Sequence, residues 1–184
     1  MNLLSNNSHV RILCTARYAT KVDLQPAMEL LKSWGLRVSL GNSIDKTHHQ
    51  MGGDINLRTQ DFLEAYFNDD INIMWIARGG YGTVQLIDKI DEDKITLSRK
   101  RTKTSPKIII GYSDITYLHA RLNRLGIPSV HSFMPLEFTS KPEVTMDSLE
   151  TVLSGRTQLI EIPNTETIKN QEITATIIGG NLSI

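Results

Sequence analysis

The 184 residues alternate short apolar runs with longer segments in which apolar residues recur every three or four positions. Short apolar runs bounded by turn residues are typical of buried strands, and the longer period is typical of amphipathic helices. The pattern predicts strands at Val10–Cys14, Arg37–Leu40, Ile71–Ala77, Ile108–Ile110 and Ser129–His131. It predicts helices at Leu24–Trp34, Asn56–Phe67, Thr83–Ile90, Ile115–Leu125 and Glu143–Leu153, the first of them capped by Asp23 and ended by Gly35.

Strands that alternate with helices at these spacings predict an α/β fold, with a parallel sheet flanked by helices on both faces. A flavodoxin-like or glutamine-amidotransferase-like layer sandwich fits this order. Open sheets of this kind bind ligands beyond the carboxyl ends of their strands. The loops that follow Ala77, Ile110 and His131 are therefore the places to search for chemistry.

Two segments interrupt the alternation. The polar connection Asp91–Pro106 contains the basic run Ser98–Lys103, which is typical of a solvated surface loop. The tail from Arg156 holds two further strand-like runs, Leu159–Ile162 and Ile173–Ile178, and stops on the apolar residue Ile184 directly after a glycine pair. This ending indicates a chain cut out of a longer one.

Composition narrows the range of partners. Lys and Arg total 20 against 20 Asp and Glu, so a zero net charge offers no basic field for nucleic acid or anionic lipid. The polar start Met1–His9 lacks a signal-peptide core, and no run approaches the ~20 apolar residues of a membrane span. The single cysteine, Cys14, favours a reducing compartment and a structural, buried thiol. We therefore expect a soluble cytoplasmic protein that binds neither nucleic acid nor membrane.

The sharpest local motif is Ile108–Ile115, where a buried strand runs through Gly111 and Ser113 directly into a helix. This order is typical of a nucleophile elbow, in which a tight turn exposes a serine hydroxyl above the sheet. The N–H of Asp114 would be the first donor to a developing oxyanion. The alternative is that Ser113 or Asp114 simply caps the helix, since both residue types are preferred there.

A second motif, Arg78–Gly82, places three glycines in four positions directly after a predicted strand. Glycines permit close backbone approach to a ligand, so this loop could supply a second oxyanion N–H or a nest for a carboxylate. It lacks the Gly-Lys-Ser/Thr ending of a phosphate-binding loop and the spacing of a dinucleotide fingerprint. The alternative is a tight turn without a ligand.

A serine nucleophile needs a base. Of the five histidines, His131 is the best candidate because it ends a predicted strand at the crevice. His119 follows Ser113 by six positions on the same predicted helix and is expected on another side. The adjacent pair His48–His49 has poor ligand geometry, so no metal site is predicted. The residues thus supply a nucleophile without a convincing base.

Three motifs in fixed order, Ala77–Gly82, Gly111–Thr116 and Gly179–Ser183, resemble the LD-carboxypeptidase family. Its members are muramoyltetrapeptide carboxypeptidases and their microcin-resistance relatives, and the resemblance runs from Val10 to the last residue. One departure is His131–Pro135, where the commoner family form is His-Gly-Pro-Met.

The resemblance implies a cytoplasmic serine peptidase with a Ser-Glu-His triad and no cofactor. Such an enzyme removes the terminal D-alanine of murein tetrapeptide during cell-wall recycling, and the complete protein is expected to be a homodimer. Ser113 matches the nucleophile, and Asp114 with Gly79 and Gly80 matches the oxyanion region. Arg78, Tyr81 and Asn181 are the further site residues that the resemblance implies.

In the family, the glutamate and histidine come from a C-terminal domain that follows the Gly-Gly-Asn-Leu-Ser segment. The expected division is therefore a nucleophile-bearing α/β domain at 1–155, and a linker with the start of a missing catalytic domain at 156–184. The isolated fragment would be inactive. Two alternatives stay open: a hydrolase of the same family that cuts a peptidyl-nucleotide amide, and a non-catalytic module that binds a peptide carboxylate on the Gly79–Gly82 loop.

Overall fold

A computed structural model describes residue 4 and residues 7–101, 107–159 and 174–181. Five strands form one parallel sheet: His9–Leu13 (β1), Arg37–Leu40 (β2), Ile73–Ile76 (β3), Ile108–Gly111 (β4) and Ser129–His131 (β5). Their order is β2-β1-β3-β4-β5, with every neighbouring pair parallel. This order is the flavodoxin-like one, in which the direction of winding reverses between β1 and β3. The predicted parallel α/β sheet is confirmed.

Helices cover both faces of this sheet. They are Lys21–Ser33 (α1), Ile55–Phe67 (α2), Thr83–Ile87 (α3), Glu92–Arg101 (α4), Thr116–Arg124 (α5) and Glu143–Leu153 (α6), with 3₁₀ turns at Ser113–Ile115 and Pro135–Ser140. One apolar cluster joins α1 and α6 to the sheet through residues such as Leu31, Trp75 and Leu153, and the other joins α2 to α5 through Phe62, Met74 and Leu118. The alternation of Met74 and Trp75 between the clusters shows why β3 is apolar throughout: both of its faces are covered.

The start of α1 differs from the prediction that Asp23 caps it. Thr20 is the cap residue: its hydroxyl oxygen accepts a hydrogen bond from the N–H of Asp23 at 3.2 Å. The Asp23 carboxylate in turn accepts from the N–H of Thr20 at 3.3 Å, which completes a capping box. The helix therefore begins three residues earlier than predicted, while Gly35, with φ of 78°, follows its end as predicted.

The prediction of a surface loop over Asp91–Pro106 is wrong for residues 92–101, which form α4. Asp91 accepts a hydrogen bond from the N–H of Lys94 at 3.1 Å, and Glu92 pairs with Arg121 of α5. Ile95 is buried in the cluster on the α2 face of the sheet. The buried Ile95 and the Glu92–Arg121 pair thus dock a short helix whose overall polarity suggested a loop. Residues 102–106 lie outside the described residues.

The described part of the tail is also not the strand that the sequence pattern predicts. Residues 174–178 of the predicted strand Ile173–Ile178 pair with no strand in the described part of the chain. Ile177 and Ile178 are 95% and 72% exposed, so they lack the buried face that holds a strand in a sheet. Of the run Leu159–Ile162, only the exposed Leu159 is described.

Burial of Lys107 makes the free energy of unfolding depend on pH in the alkaline range. Its ammonium group donates to the carbonyl oxygens of Asn68 and Ile71, and burial lowers its pKa from 10.5 to about 8 against the opposing charges of Asp69 and Asp70. Between pH 8 and 10.5 the unfolded chain therefore binds more protons than the folded one, and the free energy of unfolding rises with pH. We expect urea midpoints to increase across this window in the wild type and to stay flatter in Lys107→Met. Equal slopes in both proteins would contradict the assignment.

Candidate active site

The turn after β4 holds Ser113 in a left-handed backbone conformation. Its φ is 59°, a region that non-glycine residues adopt rarely and that is found at strained functional turns. Gly111 makes the turn tight, because a Cβ there would lie 2.9 Å from Cγ1 of Ile115. Neither the 3₁₀ turn nor α5 has a side-chain cap. The backbone of this turn therefore has the shape that a nucleophile elbow requires, and no side chain of the turn caps the helix that follows.

Asp114 is buried, and its side chain points away from the elbow. Its Oδ2 accepts a hydrogen bond from the N–H of Thr83 at 2.8 Å, at the start of α3. The Thr83 hydroxyl lies 2.8 Å from the hydroxyl of Thr15, which follows β1. The Asp114 carboxylate therefore fixes the end of the glycine loop to the elbow, and only its main-chain N–H remains for the predicted oxyanion role.

The glycine loop and the elbow touch each other, as their positions at adjacent strand ends predicted. A Cβ on Gly79 would lie 3.4 Å from Cβ and 3.6 Å from Oγ of Ser113, and 3.0 Å from Cε of Met134. Gly80 has φ of 128°, and a Cβ there would lie 2.6 Å from Cγ of Arg17. Gly79 thus presents bare main chain to the serine hydroxyl, and Gly80 leaves the space that the Arg17 side chain occupies. The predicted site residue Tyr81 is 65% exposed and takes no part in this contact.

Arg58 of α2 anchors the glycine loop from below. This side chain is 2% exposed, and its guanidinium donates to the carbonyl oxygens of Thr15 at 2.6 Å, Gly82 at 3.2 Å and Gly53 at 3.2 Å. A fourth bond reaches Oε1 of Gln85 at 2.9 Å. Burial lowers its pKa, and the charge of Asp114 opposes that shift. One buried cation therefore holds three loops together.

A cleft of about 250 Å³ opens over Ser113 and is lined by the segments that follow β1, β3, β4 and β5. Its lining consists of Arg17, Arg78, Gly79, Gly80, Tyr112, Ser113, Met134, Leu136 and Glu137. The N–H of Arg17 donates to the carbonyl oxygen of Gly79 at 3.3 Å, which joins the loops after β1 and β3 at the point where the sheet order reverses. The cleft therefore lies where parallel α/β sheets bind ligands.

Glu137 is the one carboxylate among the described residues that line this cleft, and the sequence motifs did not single it out. Its Oε1 accepts from the Tyr112 hydroxyl at 2.9 Å and lies 3.2 Å from Nζ of Lys141, while its Oε2 accepts from the N–H of Met134 at 3.0 Å. Burial acts to raise the pKa of Glu137, but these donors outweigh it and lower the pKa. Burial and this neighbouring carboxylate raise the pKa of Tyr112.

The two histidines near the elbow, His119 and His131, do not line the Ser113 cleft. His131 is exposed at the end of β5, its ring 6.1 Å from that of Tyr112, and it lines a neighbouring cavity of about 670 Å³ rather than the Ser113 cleft. His119 is buried, with Nε2 2.8 Å from the carbonyl oxygen of Gly111 and Nδ1 2.7 Å from Oγ of Ser129. Burial lowers its pKa, so the neutral ring supports the turn. No histidine of the described chain segments lines the cleft.

The predicted site residue Asn181 approaches the elbow through its main chain. Its N–H donates to Oγ1 of Thr116 at 3.0 Å, three positions after Ser113. A Cβ on the preceding Gly180 would overlap Cγ2 of Thr116, so only glycine fits there. The tail thus returns to the start of α5, although Asn181 is not one of the residues that line the cleft.

Two other candidate groups lie apart from the cleft. Cys14 is buried, and burial raises the pKa of its thiol to about 12, so it stays protonated and poorly nucleophilic. His48 and His49 meet edge to face with ring centroids 4.7 Å apart. Among the residues with described side chains, no three His, Cys, Asp or Glu groups are arranged to hold a metal ion.

Comparison with known proteins adds to this geometry. Residues 10–132 match the model of the LD-carboxypeptidase N-terminal domain. The chain is 27% identical over 186 residues to the murein tetrapeptide carboxypeptidase of Pseudomonas aeruginosa, covering 96% of this chain and 59% of that protein. It is 36% identical over 93 residues to the microcin C7 self-immunity protein MccF of Escherichia coli, covering 50% of this chain and 25% of that protein.

The fold is shared with a solved structure as well. The muramoyltetrapeptide carboxypeptidase of Oxalobacter formigenes superposes with a TM-score of 0.67 at 26% identity, over 79% of this chain and 47% of that one. The chain thus spans roughly half the length of the relatives that it matches over most of its own length.

Proposed function

The chain belongs to the LD-carboxypeptidase family, and on that premise we propose that it carries the nucleophile of a serine-type peptidase that removes the terminal D-alanine from murein tetrapeptide. The observation that carries this proposal is the elbow at Ser113, held at φ of 59° with its Oγ facing the side-chain-free Gly79. Strained serines at the carboxyl end of a parallel strand are typical of acyl-transfer enzymes.

In the proposed reaction, Oγ of Ser113 attacks the carbonyl carbon before the terminal residue as its proton passes to a base. The N–H of Asp114 and the main chain at Gly79 and Gly80 stabilise the negative charge on the carbonyl oxygen. Collapse of this intermediate breaks the C–N bond, and D-alanine leaves with the proton returned by the base. Water then attacks the acyl-Ser113 ester by the same route and frees the serine.

The base is the part of this scheme that the cleft does not contain. No histidine lines it among the described residues, so we propose that a glutamate-oriented histidine reaches Ser113 from outside them. The 184-residue chain alone would then be inactive, because an unassisted serine hydroxyl is a poor nucleophile. We propose a cytoplasmic homodimer as the working state. Within the described residues, no helix is both long and apolar enough to cross a bilayer.

A second candidate is hydrolysis of a peptidyl-nucleotide amide, which the 36% identity to MccF over 93 residues favours. The Ser113 elbow would serve both reactions, because each is an acyl transfer from an amide. The difference would lie in the group that leaves: a free amino acid in one case and a nucleotide derivative in the other.

The test compares the two substrates directly. The 184-residue chain and the complete product of its gene are incubated with murein tetrapeptide and with a peptidyl-nucleotide amide, and products are identified by mass spectrometry. We expect the complete product to release D-alanine from the tetrapeptide. Release from the nucleotide substrate alone would establish the second candidate. If neither substrate is cleaved, the peptidase proposal fails and a peptide-binding role becomes the better account.

A further inference from the structure

The cleft over Ser113 contains two guanidinium groups with no acidic partner. Nη2 of Arg17 donates to Oε1 of Gln50 at 3.2 Å, and Nη1 of Arg78 lies 3.5 Å from the carbonyl oxygen of Tyr18. The Arg78 guanidinium also lies over the Tyr18 ring, 5.9 Å from its centroid. These partners are all neutral, and neither arginine forms an ion pair within the described part of the chain.

The one carboxylate in the same lining does not neutralise these arginines. Glu137 is already bound by Lys141, by the Tyr112 hydroxyl and by the N–H of Met134. Its charge is therefore compensated by Lys141, and the two arginines leave a net positive charge in the lining that they share with Ser113. Such a cleft attracts an anionic group of the ligand.

Arg17 is held in place by the glycine loop rather than lying free on the surface. Its N–H donates to the carbonyl oxygen of Gly79, and its Cγ fills the space that a side chain on Gly80 would need. Arg78 immediately precedes the same glycines. Arg17, Arg78 and Ser113 therefore line the same cleft of about 250 Å³, so a ligand that fills this cleft meets both cations beside the serine.

We infer that Arg17 and Arg78 form a carboxylate subsite that holds the free C-terminal carboxylate of the substrate. This inference rests on the proposed function and specifies it by naming the two side chains that would recognise the end of the peptide. Consecutive residues are about 3.8 Å apart, so a terminal carboxylate lies within one residue of the carbonyl at Ser113. Guanidinium groups bind carboxylates through paired N–H donors, which fixes direction as well as charge.

The experiment measures binding, so that it does not depend on turnover. The probe is acetyl-L-lysyl-D-alanine as the free acid and as its C-terminal amide, titrated into the 184-residue chain and followed by NMR shifts. We expect the acid to bind about tenfold or more tightly than the amide, as loss of a charged hydrogen-bonded partner commonly costs. Raising the salt concentration should weaken binding of the free acid and leave binding of the amide nearly unchanged.

Variants assign the preference to the two arginines. Arg17→Gln and Arg78→Gln should each reduce the acid-over-amide ratio, and the double variant should bring it close to one. The matched control is Arg37→Gln, which removes an exposed arginine paired with Asp70 away from the cleft and should keep the ratio. Equal binding of acid and amide to the wild type, no detectable binding of the acid, or a preference that survives the double variant would each overturn the subsite.

The outcome is separable from that of the proposed function. If D-alanine is released but the acid has no advantage over the amide, the peptidase proposal stands and the carboxylate subsite fails. If the acid preference depends on the two arginines but no peptide is cleaved, the subsite stands and the cleft serves to bind peptide ends.

Discussion

Replacing Ser113 with alanine is expected to lower the rate of D-alanine release from murein tetrapeptide by at least about a thousandfold. The physical reason is that the methyl side chain of alanine offers no oxygen to form the acyl-enzyme, while the oxyanion donors and the cleft would stay in place. The measurement is the initial rate of release by the complete gene product, wild type against variant, at equal concentrations of folded protein.

The matched control for this change is Ser132→Ala. Ser132 also follows a strand of the sheet and is half-buried, but it lines the neighbouring cavity instead of the cleft. Its main-chain N–H, which donates to the carbonyl oxygen of Gly111, is kept in the variant. We expect its rate to stay within about threefold of wild type, as for substitutions away from strained or buried features.

Backbone strain at Ser113 gives an independent check on the same assignment. A glycine relieves the cost of φ at 59°, so Ser113→Gly should be inactive and yet at least as stable as wild type. Activity near the wild-type rate in either Ser113 variant would show that the elbow is only a structural turn. If the strain serves to position the nucleophile, both Ser113 variants should lose the reaction rate and Ser113→Gly should keep or gain stability.

The sheet could be predicted because its strands are short, uninterrupted apolar runs, and the run Ile108–Ile110 leads directly into the elbow. Parallel pairing follows from the helices between the strands, and the meeting of the Gly79 loop with Ser113 follows from the shared sheet edge. The sequence pattern did not predict the elements with few buried residues. In helix α4, Ile95 is the one fully buried residue among positions 92–97, and local polarity outweighed it in the sequence pattern.

The rest of the site could not be predicted from the sequence, because it depends on contacts between loops that are distant along the chain. Arg17 follows β1 and Glu137 follows β5, both in segments with no motif, and they reach one cleft only through the strand order β1-β3-β4-β5. Arg58 did leave a signal, since Arg58, Asp61, Phe62 and Ala65 lie at helical spacing on one face of α2 and all are buried. A polar pair on an apolar face indicates a buried network, although the sequence alone does not name its partners.

Replacement of Arg58 by methionine is expected to lower the free energy of unfolding by about 3 kcal/mol or more. Methionine keeps much of the packing volume but leaves the carbonyl oxygens of Thr15, Gly53 and Gly82 without their buried donor. The measurement is the urea midpoint at constant slope. The control, Arg37→Met, breaks an exposed pair with Asp70 and should leave the urea midpoint nearly unchanged, because exposed ion pairs contribute little to stability.

The same change should also lower activity in molecules that remain folded. Arg58 donates to the carbonyl oxygen of Gly82, and Asp114 accepts from the N–H of Thr83, so loss of Arg58 removes one of the two bonds that hold the end of the glycine loop. We therefore expect D-alanine release to fall even at low temperature, where Arg58→Met is fully folded by circular dichroism. A stable variant, or a destabilised one with wild-type turnover per folded molecule, would show that Arg58 does not couple the fold to the site. Arg58→Lys should have a stability between those of the wild type and Arg58→Met. Its single ammonium group keeps the charge, but it cannot donate to all three carbonyl oxygens that the planar guanidinium contacts.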